Sequence, residues 1–134
     1  MCANSMFLAI CGLTRHLSAV AIALGALALP SIAHAAIDPL CGTTIAADLT
    51  LTHDVDCVGF TGNAITIGAD NVTLDGAGFR IIAPDATAAI YAQGRTGITI
   101  RDVDVSGWCR GYGIHLNIST NAAIIDVTAD SRDS

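Results

Sequence analysis

The feature that most constrains this chain is a repeat. Ile90 returns as Ile114, and the same step takes Ile100 to Ile124, Phe79 to Val103 and Val103 to Val127. Polar positions keep it too: Gln93 matches Asn117, Thr96 matches Thr120, and Asp102 matches Asp126. A looser copy runs earlier, where Ala64-Ile65-Thr66-Ile67 precedes Val72-Thr73-Leu74 and Phe79-Arg80-Ile81. Self-similarity at a fixed period of this size, about 24 residues, marks a solenoid, whose units bury their apolar faces only against their neighbours. A leucine-rich repeat has a similar period, but it needs regularly spaced Leu and one strand per unit, and Leu is sparse here. A sandwich of hairpins would not hold a constant step.

The pattern inside one unit selects among solenoids. Apolar residues alternate at Ile98 and Ile100 and again at Val103 and Val105, but the parity slips between the pairs. A straight strand would send the second pair to the opposite face. Both pairs reach one core only if the backbone turns a corner between them. A third short strand follows at Ile114 and Leu116, after Gly111 and Gly113. The prediction is an all-β fold, a right-handed parallel β-helix of about three to four coils stacked roughly 4.8 Å apart. The right-handed winding follows from the handedness of parallel crossovers.

The first 35 residues read as a signal peptide. Arg15 and His16 form a basic start, and Leu17 to Leu29 is an apolar run that Pro30 breaks. Ala33-His34-Ala35 then places small residues at a cleavage site before Ala36. The run is too short to span a bilayer, so no stable membrane insertion is expected after cleavage. The mature chain, 36–134, divides into a lead-in segment, 36–63, and coils, 64–134, in an exported protein of the periplasm or the extracellular space. Its last residues, Ala129 to Ser134, fall just past a strand and before the third strand of that coil. The chain therefore reads as the N-terminal part of a longer β-helix, with an open apolar end at Ile114, Leu116, Ile124 and Val127.

All twelve acidic residues are Asp and all six basic residues are Arg, of which only Arg15 belongs to the leader. Good helix formers are scarce and turn formers plentiful. A net charge near −7 after cleavage, twelve Asp against five Arg, argues against nucleic acid and anionic membrane as partners. It leaves cations, neutral sugars or ordinary solubility. Cys41, Cys57 and Cys109 remain in the mature chain. In an oxidising compartment Cys41 and Cys57 are the natural pair, closing a loop of about 15 residues worth roughly 3 kcal/mol, and Cys109 is left as a small buried apolar residue.

Asn71-Val72-Thr73-Leu74-Asp75-Gly76-Ala77-Gly78 resembles a phrase of right-handed parallel β-helix proteins, the pectate-lyase-like and periplasmic β-helix repeat group. Cys41-Gly42-Thr43-Thr44-Ile45, with Leu49 to Thr52 and Cys57, is similar to the start of exported members. Gly111-Tyr112-Gly113-Ile114-His115-Leu116 is similar to a strand of their repeat. The resemblance implies the fold over nearly all of the mature chain. It does not choose an activity, since such coils serve lyases, glycosidases, epimerases and non-catalytic proteins.

Several residues could carry chemistry. Asp102 and Asp126 should stack in adjacent coils with Asp104 nearby, an acidic patch of a kind that holds Ca²⁺; the competing role is to shape turns. Tyr91, Trp108 and Tyr112 are candidates for stacking on sugar rings, or else pack the rim. His115 shares an outward register with Tyr91, and His53 lies near Asp54 and Asp56; surface histidines are the simpler reading of both. No catalytic residue is assigned. The expected function is an exported, non-catalytic repeat module that binds carbohydrate or a surface, with polysaccharide as partner. The alternative is the N-terminal part of a polysaccharide lyase or glycoside hydrolase.

Overall fold

The computed structural model describes residues 36–107 and 111–130. The predicted signal peptide, Trp108 and Cys109 lie outside the described residues. Ten strands follow one another: β1 (Thr43–Ile45), β2 (Leu49–Thr50), β3 (Val55–Asp56), β4 (Asn63–Ile67), β5 (Thr73–Asp75), β6 (Ile81–Ile82), β7 (Ala88–Gln93), β8 (Thr99–Arg101), β9 (Tyr112–Asn117) and β10 (Ala123–Ile125). Every pairing is parallel and joins strands one coil apart. The first sheet runs β1-β4-β7-β9, the second β2-β5-β8-β10, and the third β3-β6. Bridges from Arg80 to Asp104 and from Asp104 to Thr128 carry the third sheet through the later coils. The described residues contain no helix. This is a parallel β-solenoid, the fold class that the repeat predicts.

Observed registers explain why only part of the repeat is visible in the sequence. Ile90 pairs with Ile114, Ile100 with Ile124, and Asp104 with Thr128, each at the constant step of the sequence repeat. Earlier steps vary, being shorter between Thr43 and Ile65 and longer between Val55 and Ile81. The variation sits in the corners. Asp75 and Phe79 are joined by Gly76-Ala77-Gly78, whereas one residue, Asp102, joins Arg101 to Val103. Asp102 adopts φ +48°, and Asp126, one coil later, φ +50°. A single left-handed residue thus makes the corner that lets Ile98, Ile100, Val103 and Val105 all face one core, where none is more than 2% exposed. Gly76 is required by proximity: a Cβ there would lie 2.3 Å from the Asp102 carbonyl oxygen of the next coil.

The lead-in segment is already a coil, since β1, β2 and β3 pair with β4, β5 and β6. Its outer end is closed. The Asp38 amide donates to the Asp56 carbonyl at 3.0 Å, and Leu40 packs on the core. The Thr43 hydroxyl donates to the Leu40 carbonyl at 2.7 Å. The predicted disulfide joins Cys41 to Cys57, with Cα atoms 5.7 Å apart. His53 Nε2 meets Asp38 Oδ2 at 2.7 Å. At the opposite end, Ile114, Ile124 and Val127 line an apolar hollow of about 340 Å³ beside Tyr112. The last coil reaches further than the sequence suggests, because Thr128 bridges Asp104 and its carbonyl accepts from the Val105 amide at 2.9 Å. So short a bridge leaves no alternating strand to be read in the sequence.

The many Asp residues are fasteners. Asp48, Asp54 and Asp70 accept from backbone amides of the next coil, at Thr73, Arg80 and Thr96, over 2.8 to 3.0 Å. Asp56, Asp75 and Asp104 accept from the amide two residues on and tighten their own turns. Each satisfies a backbone donor that a corner takes out of the sheets.

Candidate functional site

The outer face of the first sheet carries a column set by register alone: Thr44, Thr66, Tyr91 and His115 lie side by side on successive coils. Their strand neighbours, such as Ile65, Ile67 and Ile90, point inward and are buried, so alternation sends these four outward. The Tyr91 and His115 rings meet edge to face, with centroids 5.4 Å apart. Tyr112, on the same strand as His115, brings its ring centroid to 4.4 Å from the imidazole. Three rings therefore form one surface. The Tyr91 hydroxyl donates to Gln93 Oε1 at 2.8 Å, which fixes the phenol and turns the amide. Beside the rings, Thr44, Thr66, Tyr91, Gln93 and Arg95 line a cleft of about 380 Å³.

Arg95 differs from the other described arginines. Arg80 Nε bonds Asp104 at 2.9 Å, and Arg101 Nη2 bonds Asp75 at 2.6 Å, each across adjacent coils. The Asp75 carboxyl is held below the ordinary carboxylate range by the Ala77 amide first and then by the Arg101 guanidinium. Burial works to raise Asp104, but bonds from the Ser106 hydroxyl and amide and from Arg80 outweigh it, so its pKa also lies low. Arg95 forms no ion pair among the described residues, and its buried Nε meets no acceptor there.

Asp102 and Asp126 occupy equivalent corners, but Asp104 is engaged by Arg80 and by the Ser106 amide. No group of three or more metal-ligating side chains forms among the described residues. Of the aromatic candidates, Tyr91 and Tyr112 come together, and Trp108 lies outside the described residues. Sequence reasoning missed His115 as the ring between the two tyrosines and missed Arg95 entirely. The shared register of Tyr91 and His115 was a usable signal for the first. For Arg95 there was none, since its distinction is the lack of a counter-ion.

Fold and face together define a parallel β-solenoid with a ring-bearing outer cleft. No protein-family model, curated protein or solved structure matches the chain.

Proposed function

We propose that this chain is an exported β-solenoid module that binds carbohydrate on the outer face of its first sheet without cleaving it. One observation carries the reading: Tyr91, His115 and Tyr112 form a continuous aromatic surface next to a cleft rimmed by hydroxyl and amide groups. Aromatic faces take the apolar face of a sugar ring, and neighbouring polar groups take its hydroxyls. A face built on stacked strands is rigid before the ligand arrives, so little ordering is needed on binding. Among the described residues, those lining the cleft carry no carboxylate, whereas glycoside hydrolysis ordinarily uses two; this favours binding over cleavage. The Cys41–Cys57 disulfide accords with an oxidising, exported location.

Affinity electrophoresis through gels containing soluble polysaccharides tests the reading. Retardation by at least one of them is expected, weakened about tenfold in Tyr91→Ala, in line with the loss of one aromatic contact, with the circular dichroism spectrum of the folded protein retained. No retardation across neutral and acidic polymers would remove the proposal.

A further inference from the structure

Resting on that reading, we infer that the cleft prefers a glycan carrying an oxyanion, a carboxylate or a sulfate, and that Arg95 is the residue that selects it. In a chain rich in Asp, a guanidinium without a carboxylate partner needs a reason. Arg80 and Arg101 each neutralise an Asp of an adjacent coil. Arg95 has no such partner among the described residues and lines the cleft beside Tyr91, Gln93 and Thr66. Its Nε is buried without an acceptor, so the cation is partly desolvated and not compensated within the described chain. A partly desolvated guanidinium gains most from an incoming oxyanion, which it binds in a planar, charge-assisted geometry.

The backbone holds this cation in place. Arg95 lies between Gly94 and Gly97, whose φ values are +63° and +70°. The Arg95 carbonyl accepts from the Thr120 amide of the next coil at 2.9 Å. The Thr96 amide is held by Asp70 of the preceding coil at 3.0 Å. A Cβ on Gly97, at φ +70°, would press on the Asn71 side-chain amide, so the turn that presents Arg95 favours glycine at that point. The corner is fixed by the coils on both sides, so the backbone from which the Arg95 side chain departs is set before any ligand binds.

Calorimetry on the full chain, with three oligosaccharides of matched length, tests the inference: a neutral glucan, an oligoglucuronate and a sulfated galactan. At least one acidic oligomer is expected to bind about tenfold or more tighter than the neutral one, and the two acidic arms separate carboxylate from sulfate. Arg95→Gln should weaken the acidic ligand about tenfold more than the neutral one and so erase that preference, with the thermal melt unchanged, and Arg95→Lys should restore part of it. Tyr91→Ala should weaken all ligands alike. If neutral and acidic oligomers bind equally, or if Arg95→Gln weakens both equally, Arg95 does not select an oxyanion although carbohydrate binding stands. If none of the three binds, the carbohydrate reading fails and this inference fails with it.

Discussion

Replacing Ile118 with Asn is expected to stabilise the protein, although it removes an apolar side chain. Ile118 sits at φ +52°, in the left-handed region, with 79% of its surface exposed. An L-residue pays about 1–2 kcal/mol there because Cβ crowds the carbonyl, and β-branching makes Ile a poor occupant. The loss on substitution is small. Complete burial of Ile contributes about 1.5–3 kcal/mol, and only about a fifth of this side chain is covered, so roughly 0.5 kcal/mol is forfeited. Asn tolerates the left-handed region, and Asn71 and Asn121 already occupy it at φ +56° and +53°. The balance is a gain of about 0.5–1 kcal/mol. Gly, which stands one coil earlier as Gly94 at φ +63°, should gain less than Asn, because it also loosens the unfolded chain by about 0.4–1 kcal/mol. Urea unfolding followed by far-ultraviolet circular dichroism reads the effect. With a slope of about 1–1.5 kcal/mol/M, the midpoint of Ile118→Asn should rise by about 0.5 M at unchanged slope. A fall of that size would show that the side chain contributes burial worth more than its strained backbone costs.

Three further outcomes are expected. Ile100→Ala should cost about 2–5 kcal/mol, because Ile100 is fully buried, whereas Ile124→Ala, in the same column but 52% exposed, should cost less than half as much; equal losses in urea melts would refute the graded core. Replacing Cys41 and Cys57 with Ser should lower stability by about 3 kcal/mol, and non-reducing peptide mapping of the parent protein should recover the two cysteines linked. Asp75 and Asp104 have pKa values lowered by folding, so their contribution is present above the unfolded value of about 3.9 and is lost as pH falls through the folded values. Thermal melts from about pH 7 down to about pH 2 should decline more gently in Asp104→Asn than in the parent, and an unchanged acid slope would show that the Asp104 carboxylate, held by Ser106 and Arg80, contributes nothing.

The site was legible in pieces. Tyr91 and Tyr112 stood out as aromatic residues in a chain with few, and the constant step of the repeat put Tyr91 beside His115. That Tyr112 would reach the same imidazole could not be read from spacing. An odd number of positions separates Tyr112 from His115, so simple alternation would put the two on opposite faces of the strand. The equivalence of Asp102 and Asp126 was readable from the same step, but the commitment of Asp104 to Arg80 was not. That bond joins neighbouring coils and depends on both side chains leaving the sheet in the same direction.

By itself the sequence determined the solenoid, because apolar parity and a constant step admit few other ways to bury Ile90, Ile100 and Val103 together. It also pointed to the Cys41–Cys57 pair, whose members bracket a single turn of chain. Tertiary structure decided what the corners do. Parity marks the corner at Asp102, but no such signal gives the lengths of the earlier corners, so the register of the first coils, short at Thr43 and Ile65 and long at Val55 and Ile81, emerges only when the sheets stack. The same stacking decided which Asp meets a backbone amide of the next coil, which meets an arginine, and that Arg95 meets no carboxylate among the described residues. Those pairings join residues one coil apart across a spacing of about 4.8 Å. That distance is a property of the assembled sheets and of no local stretch of chain.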